Sequence, residues 1–336
     1  MQWIKGIMHS TNINNSQINK KKILILGATG FIGRNLAQRF CTNENYSVTL
    51  ANFNSPQYEI SNATWVNADL RNFRDVARVI ESFDVVIQAA ATTSGSSDIV
   101  NSPEIHVTDN AVMKSVLLRE VLYKQVKHVI FFSCTTMYQS NPKILQKEDD
   151  FNENSEIFAS YFGVAITKLY IEKLCKFYSL ISNTKFTVIR HTNTYGPFDK
   201  YDLKRSHVMG ASITKVMQAK EEVVIWGDGE EIRDLLYVDD LIELVDNCIS
   251  KQKIKYLLIN AGSEAGISVL ELVKKIIKLS GKQLNIFFDE SKPTIKYSFI
   301  SDCTRAFKEL NWKPRTSLDE GILKSLEWWK TNEEKN

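Results

Sequence analysis

Nowhere in the 336 residues is there a run approaching the ~20 apolar residues that cross a bilayer, so a membrane-spanning helix is not expected. The first residues also lack the apolar core and small-residue cleavage site of a secretory signal. Cysteine is sparse and scattered: Cys41, Cys134, Cys175, Cys248 and Cys303 form no CxxC pair. An odd, dispersed set points to free thiols in a reducing cytoplasm rather than to a disulfide framework, and no zinc site is expected. A dominant charge is missing too. The 42 basic and 39 acidic residues leave +3, too little to argue for nucleic acid or an anionic membrane as partner. No repeat at a solenoid period is visible. What is left is a globular composition, 43% hydrophobic and 24% charged, on a chain long enough for a sizeable core.

The most informative stretch runs from Lys22 to Gly33, a branched apolar run followed by three glycines. The run predicts a buried parallel strand, and the glycines turn it into a helix. Gly27 permits the tight turn, Gly30 lets a pyrophosphate approach the backbone, and Gly33 lets the helix pack on the strand. The helix would open with unpaired N–H groups aimed at the phosphates, favoured by its dipole. This pattern points to dinucleotide binding.

The rest of the chain alternates. Strands are predicted at Tyr46–Ala51, Thr64–Asn67, Asp84–Ala91, Val126–Cys134 and Lys185–Arg190. Helices are predicted at Phe31–Phe40, Phe73–Ser82, Asn110–Tyr123 and Tyr161–Ile181. Such alternation implies a doubly wound parallel sheet with right-handed crossovers. Residues 1–20 read as a flexible polar leader, 21–190 as the dinucleotide-binding domain, and 191–336 as a smaller mixed α/β substrate portion that crosses back at least once. Within that portion, short strands at Val223–Trp226 and Tyr256–Asn260 alternate with helices near His207–Ala219, Val238–Ser250 and Val269–Ser280. At the end of the second strand, Asp or Glu would select NAD and Arg would favour NADP. Asn52 and Asn54 stand there instead, so NAD is expected with NADP still open.

Further motifs follow in order: Asp69-Leu70, DVVIQAAA at 84–91, Asn110, FFSCTTMY at 131–138, Lys168 in TKLYIEK, RHTNTYGP at 190–197, SHVMGA at 206–211, WGDGEEIRDLLYVDDL at 226–241 and LDEGILKSLEWW at 318–329. With GATGFIG at 27–33, the chain resembles the extended short-chain dehydrogenase/reductases of the nucleotide-sugar epimerase/reductase type, from about Lys22 to Lys330. The resemblance implies a Rossmann-type fold and a nucleoside-diphosphate sugar as substrate. It places the pyrophosphate at Gly27, Gly30 and Gly33, the adenine at Asp69 and Leu70, and the nicotinamide beside Ala89 and Ala90, with Lys168 on the ribose. Thr29, Phe31, Ile32, Asn52, Ala91, Asn110 and Ser133 complete the implied cofactor set. Asn193 and Arg233 match positions that grip the sugar nucleotide, joined by Thr136 and His207. An ion pair with Asp234 or Asp239 is the plain structural alternative for Arg233, and loop support the alternative for His207. A homodimer through the helices near 110–123 and 161–181 is also implied.

Two departures bear on the chemistry. The family places a Tyr acid/base four residues before its Lys, where this chain has Val164. Tyr161, seven residues before Lys168, lies on the same helical face but roughly 10 Å along the axis, and is the expected displaced acid/base. The usual Ser/Thr is Cys134, with Thr135 and Thr136 as substitutes; the catalytic set is thus Lys168, Tyr161, Cys134 and Thr135. Packing at a helix entrance is the plain reading of Tyr161, and a small buried side chain that of Cys134. The Asp-Glu pair of the dehydratases is absent after Cys134, so elimination by that route is not expected. The competing reading is a protein that binds the cofactor and sugar nucleotide without hydride chemistry.

Overall fold

The computed structural model describes residues 20–81, 83–92, 101–141, 145–292 and 294–333. The expected leader therefore lies, but for Lys20, outside the described residues. Strand β1 (Lys21–Leu26) has four consecutive fully buried residues, as a strand covered on both faces must. It leads through the glycine turn into α1 (Phe31–Phe40). There follow β2 (Tyr46–Asn52), β3 (Ala63–Asn67), α2 (Phe73–Val79), β4 (Val85–Gln88), α3 (Thr108–Tyr123), β5 (His128–Cys134), β6 (Leu145–Gln146), α4 (Phe162–Ile181) and β7 (Lys185–His191). The second part holds β8 (Asn193–Tyr195), α5 (Val208–Gln218), β9 (Glu222–Trp226), β10 (Ile232–Tyr237), α6 (Val238–Lys251), β11 (Tyr256–Ala261), β12 (Gly266–Ser268), α7 (Val269–Ser280), β13 (Asn285–Asp289), β14 (Ile300–Ser301), α8 (Thr304–Leu310) and α9 (Leu318–Asn332).

The doubly wound sheet is present. Seven parallel strands run in the order β11-β7-β5-β4-β1-β2-β3. The chain winds outward from β1 to β3, then returns to the other side of β1 with β4. That reversal opens a crevice at the carboxyl edge between β1 and β4, where such sheets bind ligands. One face is covered by α1, α6 and α8 through Leu36, Phe40, Leu241, Val245 and Leu310. The other is covered by α2, α3 and α4 through Val76, Leu117, Val121, Ile171 and Cys175. Three small sheets complete the fold: β12-β10-β8 and β13-β9 in the later part, and β14-β6, which ties residues 300–301 back to residues 145–146.

Local chemistry explains several boundaries. Helix α7 has the predicted ends because Ser268 and Glu271 form a reciprocal capping box and Gly281 closes it at φ 75°. Helix α2 starts where the Asn72 side chain accepts from the Arg74 N–H, but ends at Val79, short of the predicted Ser82. Ile80 has turned to an extended conformation and is fully buried, so the chain dives into the core instead of continuing along the surface. Strand β4 stops at Gln88 rather than Ala91, because Ala89 and Ala90 leave the ladder to pass against the glycine turn.

His128, 5% exposed in the sheet, has its pKa pushed down to about 4 by burial, helped by the nearby charge of Lys185. It is neutral when folded and protonates once unfolded, so stability is full above pH 6.5 and is lost as pH falls toward 4. His128→Gln should flatten that acid slope by up to about 3 kcal/mol in denaturant titrations. An unchanged slope would place the acid-labile group elsewhere.

Candidate active site

The crevice is built from the glycine turn upward. Gly27 sits at φ 78°, and a Cβ there would lie 2.6 Å from the Ala90 backbone. A Cβ on Gly33 would lie 2.1 Å from the Gly27 carbonyl, so helix and turn touch only because both residues lack side chains. Gly30 is different. It is the N-cap of α1, makes no side-chain cap bond, and a Cβ there would meet only the Gly27 carbonyl at 3.4 Å. The space before the helix is open to an anion. Thr29 is half-buried, and Phe31 and Ile32 pack on the core behind. At the end of β4, Gln88 accepts from the Ala90 N–H, and its own Nε2 is buried without a protein partner. Ala91 is exposed beyond it. This edge fits a dinucleotide pyrophosphate.

Other residues of the implied cofactor set are already engaged. The Asn52 amide donates to the Ser55 carbonyl and accepts from Gln57, so both of its polar atoms are engaged within its own loop. Asp69 is held below the usual carboxylate range by Arg71, which also reaches Asp109 at 3.0 Å. The Leu70 side chain is in the core, so Asp69 is the member of that pair nearer solvent. Asn110 bonds both the N–H and the carbonyl of Thr92 and thereby ties the loop after β4 to α3. The Ser133 hydroxyl is spent on Glu172 at 2.5 Å.

Lys168 is half-buried and donates to the Phe132 carbonyl at 2.7 Å; burial lowers its pKa, against the pull of Cys134 and Glu172. Its helix is locked in rotation by a buried network. Glu172 takes Arg190 at 2.7 Å, Arg190 donates to the Tyr138 hydroxyl at 2.9 Å, and Tyr138 donates to Asn260 at 2.8 Å. Nothing local in the sequence marks Glu172 and Arg190 as partners, because they come from α4 and β7.

Tyr161 and Lys168 both lie within electrostatic reach of Cys134, but no hydrogen bond between them is seen among the described residues. Tyr161 caps α4 and packs edge-on against Tyr297, ring centroids 5.3 Å apart, with Phe158 beside it. Burial raises its pKa, opposed by the charge of Arg233. Val164, not Tyr161, lines the cavity that contains Lys168. Cys134 is partly buried with its Sγ 3.0 Å from the Thr136 hydroxyl, and the carbonyl of buried Thr135 accepts from the Tyr297 hydroxyl.

Arg233 makes neither of the ion pairs considered from sequence. Asp234 is taken by Ser263 and Ser301, while the guanidinium donates to the carbonyls of Ile232, Ile295 and Tyr297. Three of its five N–H donors are used, which leaves two for an oxyanion. Half-buried Asn193 leans on β10, and His207 is exposed as the N-cap of α5. Two neighbours of Lys168 escaped the sequence reading. His191, at the end of β7, packs edge-on against Phe132. Lys114 stands in the buried stripe of α3, which it shares with Asn110, Glu120 and four apolar residues, and a charged residue at such a position was the available signal.

A model of the NAD dependent epimerase/dehydratase family matches residues 23–262. The chain is 28% identical over 325 residues to a GDP-L-fucose synthase of Azorhizobium caulinodans, with 94% of this chain and 98% of that protein covered. It is 27% identical over 324 residues to a GDP-L-colitose synthase of Yersinia pseudotuberculosis, covering 94% and 99%. Among solved structures it is similar to a UDP-glucose 4-epimerase of Thermotoga maritima with UDP-glucose. The TM-score is 0.82 at 24% identity, covering 92% of this chain and 99% of that one.

Proposed function

The chain belongs to the NAD dependent epimerase/dehydratase family, and we propose that it epimerises or reduces the sugar of a nucleoside-diphosphate sugar with a nicotinamide dinucleotide. The observation that carries this is the open, uncapped start of α1 at the sheet's switch point, with Gly27 and Gly33 in backbone contact behind it. The bound dinucleotide supplies the exchange of hydride with a ring carbon. The chain's own residues bind and orient: Gly30 admits the pyrophosphate, Ala89 and Ala90 keep the wall low, and Lys168 stands at the reacting end. NAD is the proposed cofactor, since neither a ribose-selecting carboxylate nor a free arginine marks the end of β2; NADP is its competitor. The relatives' names, GDP-L-fucose synthase and GDP-L-colitose synthase, support a nucleotide-linked sugar.

Turnover on a panel of GDP-, UDP- and dTDP-sugars, read at the nicotinamide and by product analysis, tests the proposal. An epimer without net cofactor change defines an epimerase, and stoichiometric oxidation of the reduced cofactor defines a reductase. Binding without either would make the chain a binding module, the reading that Val164 and Cys134 favour.

Arg233 is proposed to hold the diphosphate with its two unused N–H groups while bracing the 295–297 segment. Arg233→Ala should weaken nucleoside diphosphates by about 2–4 kcal/mol and monophosphates less. Equal losses for both would reduce Arg233 to a brace.

A homodimer through α3 and α4 is proposed as well. Their outer faces expose Val112, Tyr123, Phe162, Ile166, Phe177 and Leu180, an apolar surface that a second copy would cover. All five cysteines are free, which supports a cytoplasmic setting.

A further inference from the structure

Arg34 stands in the first turn of α1, and its N–H closes that turn onto the Gly30 carbonyl at 2.8 Å. Its guanidinium lies between two aromatic rings. The central carbon is 4.4 Å from the Tyr58 ring centroid and 4.2 Å from that of Phe198. The rings come from different parts of the chain: Tyr58 from the 53–62 segment that joins β2 to β3, and Phe198 from the segment after β8. Both are pinned beside the glycine turn. The Tyr58 hydroxyl donates to the Ala28 carbonyl at 3.2 Å, and the Ala28 N–H donates in turn to the Ala51 carbonyl near the end of β2. On the other side the Asn35 amide donates to the Pro197 carbonyl at 2.9 Å, which holds the next residue against α1. Phe198 itself sits at φ 67°, left-handed backbone that a bulky residue takes only where its surroundings hold it. Two plates fixed from outside thus set the plane of the guanidinium before any ligand arrives.

The edges of that plane have no use within the protein. Arg34 is half-buried, yet among the described residues its side chain makes no ion pair and no hydrogen bond, and its Nε is buried without a partner. By contrast Arg190 takes Glu172, and Arg233 donates to three carbonyls. The rings satisfy the faces of the cation but offer no acceptor to its five N–H groups. Nor is Tyr58 a counter-ion, since burial pushes its phenol up to about 12 even against the charge of Arg34. A half-buried, pre-set fork with idle donors suits an anion that comes from outside. In a dinucleotide crevice the pyrophosphate is met by the N–H groups that open α1, while the adenosine ribose lies over the end of β2. That strand end is where Ala51, the turn and Tyr58 meet. The residues that follow it, Asn52, Phe53, Asn54, Ser55 and Pro56, carry no cation.

We propose, on the dinucleotide reading above, that Arg34 is the specificity residue of the adenosine pocket, its guanidinium taking the ribose 2′-phosphate of NADP. A fork of N–H donors matches two phosphate oxygens, whereas the 2′-hydroxyl of NAD presents one neutral acceptor. Arg34 is therefore what lets NADP compete with NAD in this crevice. The strand-end pattern did not show it because the cation reaches over from the neighbouring helix.

Calorimetric titration of the full chain with NAD, NADP, 5′-AMP and 2′,5′-ADP tests the assignment. The last two differ only in the 2′-phosphate and so isolate the contact. Wild type should bind 2′,5′-ADP at least ~10-fold more tightly than 5′-AMP. Arg34→Met keeps an unbranched chain between the two rings and removes the fork. It should weaken 2′,5′-ADP and NADP by at least ~10-fold and leave 5′-AMP and NAD within about threefold of wild type. Arg34→Lys, which keeps the charge without the fork, should recover part of the loss. Equal losses of 5′-AMP and 2′,5′-ADP in Arg34→Met would place the contact on the 5′-phosphate and overturn the proposal. Unchanged affinities throughout would reduce Arg34 to a filler between two rings. Should Arg34→Met fold poorly, the wild-type comparison still decides, because equal affinity for 5′-AMP and 2′,5′-ADP overturns the assignment without any variant. Failure to bind all four ligands would remove the dinucleotide reading and this proposal together. Binding of NAD and 5′-AMP with no gain from the 2′-phosphate would remove this proposal alone.

Discussion

Gly30→Val should lose NAD(H) and NADP(H) binding by at least ~100-fold, about 2.7 kcal/mol, while the protein stays folded. Residue 30 has φ −81° and ψ 171°, extended backbone that valine adopts readily. The added Cβ meets only the Gly27 carbonyl at 3.4 Å, so the fold has room for it. What it occupies is the space in front of the α1 N-terminus, where a pyrophosphate must reach backbone N–H groups. Loss of a good N-cap residue costs about 1 kcal/mol, so thermal unfolding should shift by only a few degrees. Gly33→Ala is the contrasting control. Its Cβ would fall 2.1 Å from the Gly27 carbonyl and 2.9 Å from the Ala28 Cα, both rigid backbone, so this variant should fail in stability first. Calorimetry for binding and thermal melts for folding separate the two. Wild-type affinity in folded Gly30→Val would remove the dinucleotide site from this edge.

Arg190→Met should destabilise the protein by about 3–5 kcal/mol. Arg190 and Glu172 have side chains only 3% and 4% exposed, and the pair is bridged further to Ser133, Tyr138 and Asn260. Removing the guanidinium leaves Glu172 in the interior with a serine hydroxyl as its main partner, and a lone buried carboxylate is costly. The double variant Arg190→Met with Glu172→Met should recover part of the loss, since an apolar pair of similar volume needs no partner. Because Glu172 lies one turn from Lys168 on α4, the single variant should also lower turnover more than its stability loss explains at temperatures where it is folded. Denaturant midpoints and kcat on the same samples check both. A loss under about 1 kcal/mol would mean that water reaches the pair and that the network does not set the helix.

Some of this molecule is written locally. The β1–turn–α1 unit needs only a branched run and three spaced glycines. Helix α7 carries its own start and stop in Ser268, Glu271 and Gly281. The short strands were less visible. Residues 193–195 and 232–237 show little pattern, because β8 and β10 are strands through pairing with each other and with residues 266–268. The same holds for Arg233, whose partners are main-chain carbonyls of a distant segment that no side-chain pattern announces.

The sequence by itself determined the sheet of alternating strands and helices and the family, because periodicity and glycine spacing act over a few residues. It also showed that position 164 has no phenol. Only the tertiary structure decided what surrounds that position. It packed Tyr161 against Tyr297, closed Arg190 onto Glu172, and set Lys114 of another helix on the same small cavity as Lys168. The physical reason is range. A turn or a cap is satisfied by atoms a few residues apart, but the charge state of a buried amine depends on every group packed around it, and packing assembles those groups from far along the chain.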